Sequence, residues 1–172
     1  GGGIAVLRDA SLSVVDSLFH ENAAARPGGA IYGDGAAIEV RRSRFVSNRS
    51  GSWRGGAIGL TGGSIDVQGS AFAHNSAEDG GATFAFLPSG ASHDPNNIPE
   101  LLTDPASAYL SHVTVHGSVT TSNTESAIYA KGTPLVVEDS VFTGSYGNGD
   151  PGSLVVLVSY DRVDTGETVR AE

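Results

Sequence analysis

The chain has 172 residues, 10 basic side chains against 19 acidic ones and a formal net charge of −9. That length suits a single domain. The acidic balance excludes a face that neutralises nucleic-acid phosphates or docks on anionic lipid, and no apolar run approaches the ~20 residues that span a bilayer.

There is no Cys, so disulfides, thiolate zinc sites and Cys nucleophiles are excluded. There is no Met and no visible signal peptide, so the chain is expected to be a piece of a longer or processed protein. The 24 glycines are about twice the usual ~7% share, which points to many tight bends.

In chain order, the first unit opens on Gly1-Gly2-Gly3-Ile4, continues through Leu12 and Val14, and closes on Ser17, Phe19 and Asn22. The second opens on Gly28-Gly29-Ala30-Ile31 and repeats the pattern with Ile38, Val40, Ser43, Phe45 and Asn48. The third opens on Gly55-Gly56-Ala57-Ile58 and carries Ile65, Val67, Ser70, Phe72 and Asn75. A third Gly-Gly-Ala step is read at Gly80-Gly81-Ala82. Residues 86–107 hold Pro88, Pro95, Pro99 and Pro105 and are read as a loop insertion, since long loops in compact domains are usually functional or disordered.

The pattern then resumes. Leu110, Val113 and Val115 take the places of Val67, Ser70 and Phe72, and Val137, Ser140 and Phe142 follow. Lys131, the single Lys, is placed in a turn over 130–134. Residues 147–152 read as a turn, and a partial sixth unit starts near Ser153.

Apolar residues alternate within each unit, which is strand periodicity, and no segment supports a helix of three turns. A repeat of about 27 residues built from short strands and sharp bends matches one circuit of a parallel β-helix. The expected fold is all-β: one domain over 1–172, a single-stranded right-handed parallel β-helix of five to six turns. Phe19, Phe45, Phe72, Val115 and Phe142 are expected to form one internal column. Asn22, Asn48 and Asn75 are expected to form a hydrogen-bonded column at a turn, a structural role rather than a catalytic one.

The Phe-x-x-Asn and Gly-Gly-Ala-Ile pairing resembles the repeat of the polymorphic outer membrane proteins and of other bacterial surface proteins with parallel β-helix repeats. Ser118 and Ser145 depart from it by standing where Asn stood. The resemblance implies an extracellular or cell-surface passenger region, often adhesive, with further turns of a parent chain adjoining it. It does not imply an enzyme.

Outward positions of the Ser-x-Phe strand suggest one candidate site. The third rung there is bare (Gly69, Ala71, Ala73), between Arg42 and Arg44 on one side and His112 and His116 on the other. In a catalytic reading, Arg42 and Arg44 grip the carboxylates of an acidic glycan, and His112 or His116, oriented by Asp139, moves a proton. In the plainer reading this is a solvated face with cross-rung pairs such as Asp16 with Arg42. Trp53 is a candidate sugar-stacking residue. No metal or cofactor is expected: His93, Asp94 and Glu100 in the insertion, with His74 and Asp79 before it, are weighed as metal ligands but have no zinc-motif spacing, and calcium is considered at the 147–152 turn without a calcium-loop spacing to support it. The expected function is a non-catalytic extracellular or surface segment, a scaffold or adhesin binding glycans or a host or neighbour surface, with a polysaccharide lyase or glycoside hydrolase acting on an acidic glycan as the alternative. Neither nucleic acid nor membrane is an expected partner.

Overall fold

A computed structural model of the chain describes residues 2–51, 54–78, 81–87, 106–117, 119–120, 126–131, 133–144, 146–147, 150–151 and 153–158. Among them there is no helix, and the strands form a nine-stranded, a six-stranded and a five-stranded sheet. Nearly all pairs are parallel and join residues one repeat apart, so the chain is a β-solenoid of about four turns.

One circuit is easily followed on the second unit. Strand Ile31–Arg41 runs along the nine-stranded sheet, Arg44–Val46 along the five-stranded sheet, and Arg49–Ser50 along the six-stranded sheet. In Ile31–Arg41, Ile38 and Val40 are buried while Glu39 and Arg41 are not, as period two requires. The third unit repeats this one residue for residue: Ile38 lies on Ile65, Val40 on Val67 and Phe45 on Phe72.

The Phe column exists. Phe19, Phe45 and Phe72 stack with centroids 4.7 Å apart and planes within 8°, which is the rung spacing itself. Val115 lies on Phe72 and Phe142 on Val115.

The Asn column exists as well. The Asn22 backbone N–H and Nδ2 both donate to Asn48 Oδ1 at 3.1 and 2.9 Å, and those of Asn48 donate to Asn75 Oδ1 at 3.0 Å. Asn48 Nδ2 also donates to the Phe19 carbonyl, and Asn75 Nδ2 to that of Phe45. Asn48 and Asn75 are fully buried, and these bonds are what make such burial tolerable. Ser118 and Ser145 lie outside the described residues.

A second polar ladder runs beside it. Ser17, Ser43, Ser70 and Ser140 each donate Oγ–H to the carbonyl two residues back. In return Ser43 Oγ accepts from the Ser17 N–H, Ser70 Oγ from Ser43 and Ser140 Oγ from Val113. Val113 interrupts this ladder because it offers no oxygen to the rung before it.

Two left-handed corners bracket each three-residue strand, always five residues apart. The first holds Asp16 (φ 49), Arg42 (φ 45), Gly69 (φ 57), His112 (φ 52) and Asp139 (φ 45). The second holds Glu21, Ser47, His74, Gly117 and Gly144. Asp and His enter this region more readily than most non-Gly residues, which accounts for several of these identities.

Three sequence expectations need correction, and the register of the third Gly step falls on Gly81, Gly80 lying outside the described residues. Phe84 pairs with Ile58, so Gly81 takes the place of Gly55, and both have positive φ (67 and 74). What repeats is the left-handed glycine. The insertion does not begin at Phe86 or end at Ser107: Phe84–Leu87 and Ser107–Ser111 are strands, with Leu87 on Thr61 and Ser107 on Ser64. Residues 88–105 lie outside the described residues. Lys131 closes the strand Ser126–Lys131 instead of sitting in a turn. Asp16, Arg42, Gly69, His112 and Asp139, read as outward strand positions, are corner residues.

Of the segment 147–152, Gly147 and Asp150–Pro151 are strand residues, with Asp150–Pro151 antiparallel to Tyr146–Gly147, and 148, 149 and 152 lie outside the described residues. Arg54 is buried with its guanidinium carbon 4.0 Å from the Tyr129 ring centroid, a cation–π contact under the bend.

Candidate functional site

The first corner and the strand after it carry the residues singled out from sequence. Arg42 Nε and an Nη donate to the two carboxylate oxygens of Asp16, both at 2.8 Å, across one rung. These bonds hold the Asp16 carboxyl below its ordinary value of 3.8 and push the Arg42 guanidinium upward. Both groups are exposed, so the pair contributes little to stability. The Arg42 guanidinium is thus paired with an acid of its own chain. Arg44 is exposed on the outward face of Arg44–Val46.

His112 and Asp139 do meet. His112 Nε2 stands 3.7 Å from Asp139 Oδ2, while His112 Nδ1 is 2.7 Å from Ser111 Oγ. Both side chains are about 70% exposed, at 70% and 72%. His116 Nδ1 is 3.0 Å from Thr143 Oγ1, and its ring meets that of His74 edge-on at 5.7 Å. Among the described residues these side chains form an exposed cross-rung network. Trp53 lies outside the described residues, as do Asp79, His93, Asp94 and Glu100. Among the described residues no three His, Asp or Glu are placed to hold a metal ion, and no helix is long and apolar enough to cross a membrane.

The concavity lies on the neighbouring face. A shallow groove of about 650 Å³ crosses the outer side of the nine-stranded sheet. Its floor is a column of small residues: Ser11, Ala37, Ser64 and Ser107, in register from rung to rung. Two positions further along each strand, Ser13, Glu39, Asp66 and Tyr109 form the adjoining column. The groove follows the stack axis across five rungs, about 19 Å at ~4.8 Å per rung. Arg42, Arg44, His112, His116 and Asp139 do not line it.

The groove's charges are arranged by a network at its margin. Arg41 binds Glu39 and Gln68 closely and approaches Asp66 Oδ2 at 3.4 Å. Gln68 Nε2 donates to both Asp66 oxygens at 3.1 Å. Two carboxylates thus share one guanidinium, leaving the groove mildly acidic. Tyr109 donates its hydroxyl to Glu138 Oε2 at 2.8 Å, which fixes the end of the ring and raises the phenol above its ordinary 10.0. The signal for this groove was present in sequence as small residues at the start of each second strand, but small residues are silent until register aligns them.

Comparison with family models, with curated proteins and with solved structures returns no match for this chain.

Proposed function

We propose that the chain is a non-catalytic extracellular or cell-surface β-solenoid segment, a scaffold or adhesin that binds an extended glycan along the groove. The observation that carries this reading is the serine-rich furrow running with the stack axis beside the tethered Tyr109. A straight polymer can lie along it, with hydroxyls of Ser11, Ser64 and Ser107 as hydrogen-bonding partners and Tyr109 as an aromatic contact. The carboxylates of Glu39 and Asp66 favour a neutral or amino-bearing glycan over a uronic one. The resemblance of the Phe-x-x-Asn and Gly-Gly-Ala-Ile units to outer membrane protein repeats supports the surface location and adjoining turns of a parent chain. We also infer right-handed winding, from the strong general preference of parallel crossover connections for that hand. The count of five to six turns follows the repeat from Gly1 to the strand Ser153–Val158.

One observation favours a second reading, a polysaccharide lyase or glycoside hydrolase: the His112–Asp139 contact. An array of neutral, amino and uronic glycans, with a product-release assay, separates the two. Binding that is abolished by Ser64→Trp and Tyr109→Ala but untouched by His112→Ala and His116→Ala is the expected result. Turnover of a uronic polymer that disappears in the His variants would replace the binding function with the enzymatic one.

A further inference from the structure

Two of the described histidines stand beside an acid: His20 is 3.5 Å from Glu21 and His112 is 3.7 Å from Asp139. The other two meet each other instead. His74 sits at the second left-handed corner, and His116 ends the three-residue strand of the next circuit. Their rings meet edge-on with centroids 5.7 Å apart, and both side chains are exposed. The described neighbours along the stack carry no charge: Ser47 and Gly117 flank His74, and Ala73 and Thr143 flank His116.

Two features prepare this pair. The Thr143 hydroxyl donates toward the Val115 carbonyl at 3.5 Å, so its oxygen is left to accept from His116 Nδ1 at 3.0 Å. That bond keeps the imidazole proton on Nδ1 and leaves the Nε2 lone pair available, the same outer bond that orients a metal-ligating histidine. The second feature is Gly117. A Cβ there would stand 2.7 Å from His74 Nδ1 and 2.9 Å from its Cε1, so the missing side chain is what lets the His74 ring lie across the rung. Among the described residues the His74 ring makes no hydrogen bond that would resist its turning.

We propose that His74 and His116 form a two-imidazole site for a divalent d-block cation, Cu2+, Ni2+ or Zn2+, with the remaining coordination positions open to water. Imidazole nitrogen suits these ions, whereas Mg2+ and Ca2+ require oxygen ligands that this pair does not offer. Two imidazoles on one ion, at ~2.0–2.1 Å per metal–nitrogen bond, hold their ring centroids about 5 Å apart, so a small rotation of His74 closes the site. Two protein ligands make it an exchangeable surface site, and affinity should follow the usual order, Cu2+ above Ni2+ and Zn2+. The pair lies off the groove and uses none of its residues, so it stands whether or not a glycan binds there.

The test titrates the whole chain with Zn2+, Ni2+ and Cu2+ by calorimetry and follows the histidine ring signals by NMR in the Zn2+ series. Saturable binding that shifts His74 and His116 ahead of His20 and His112 is the expected result. His74→Asn, chosen because Asn tolerates the φ of 54 at that corner, and His116→Gln should each weaken binding at least ~10-fold. His20→Gln and His112→Asn should leave it within ~2-fold. Both nitrogens must be unprotonated, so with an ordinary imidazole pKa of ~6.5 the affinity should fall about a hundredfold between about pH 7.5 and about pH 5.5, and about tenfold in either single variant. Thr143→Val tests the positioning bond: in the metal-free chain the nitrogen NMR signals of His116 should move from the Nδ1–H form toward a mixture of tautomers. No saturable binding of any of the three ions would overturn the proposal. So would binding that survives both His74→Asn and His116→Gln, or that His112→Asn weakens as much as they do.

Discussion

Phe84 leans against Phe72 at 60°, with ring centroids 4.6 Å apart, beside a column position where the aromatic series gives way to Val115. Phe84 itself stands in a column with Ile4, Ile31, Ile58, Ile128 and Val155. One rung has exchanged a large residue for a smaller one at one column and a smaller for a larger at another, so the two changes offset each other in part.

The exchange predicts a compensated pair. Val115→Phe alone overpacks and should cost about 1–3 kcal/mol, and Phe84→Ile alone leaves a void of similar cost. The double substitution restores the arrangement of the second and third rungs and should lie within ~1 kcal/mol of the native chain. Urea denaturation of the four proteins completes the cycle; additive costs would mean that Phe84 does not fill the volume beside Val115.

Asn48 uses its side chain four times, accepting twice from Asn22 and donating to Phe19 and Asn75. Asn48→Ala should cost about 2–4 kcal/mol, because it strands several of these groups. Asn48→Asp should behave differently with pH. Its carboxylate would face the Phe19 carbonyl and Asn75 Oδ1, so its folded pKa is raised above the unfolded value of ~3.9. Stability is then greatest below the unfolded value and is lost as pH rises from there through the folded one. A variant no less stable at pH 7 than at pH 3.5, relative to the native chain, would contradict this.

Val113 is the gap in the serine ladder. Threonine there keeps the shape and places an oxygen where Ser17, Ser43, Ser70 and Ser140 place theirs, toward the Ser70 N–H and the Ser111 carbonyl. Val→Thr in an apolar core usually destabilises. Here Val113→Thr should be neutral or stabilising, whereas Val115→Thr, one strand position into the Phe column, should cost about 1–3 kcal/mol. Thermal melts of the two variants side by side decide it.

The Asp16 carboxyl is held below 3.8 by its bonds from Arg42. A depressed folded pKa gives stability that is present above the unfolded value and is lost as pH falls through the folded one, so the effect is confined to acid conditions below about pH 4. In Arg42→Gln the carboxyl midpoint of Asp16, followed by carbon NMR, should move upward toward its ordinary value. Stability at pH 7 should change little, and the native midpoint should itself rise with added salt. A midpoint indifferent to Arg42→Gln would remove the bidentate pair.

Much of this architecture could be read from residues alone. Phe19, Phe45 and Phe72 recur at one interval, Asn22, Asn48 and Asn75 at the same interval, and a parallel stack satisfies both at once. The His112–Asp139 and Asp16–Arg42 contacts followed from the interval in the same way. What spacing does not carry is backbone handedness at single residues. Arg42 and Ser47 have no compositional mark of a left-handed corner, so the five-residue bracket stayed hidden. The register of Gly81 has the same cause, since a Gly-Gly pair carries no mark of which glycine takes positive φ. The groove escaped because Ser11, Ala37, Ser64 and Ser107 are common surface residues whose meaning lies in their alignment.

Leu87 and Ser107 land on Thr61 and Ser64, positions that a Gly-Gly pair joins directly one rung earlier. Nearly twenty residues thus replace two with no loss of phase on either side. At this one corner, chain length is uncoupled from winding. Foreign sequence spliced there would leave the circuits above and below in step, making the 87–107 junction a natural attachment point for displayed cargo.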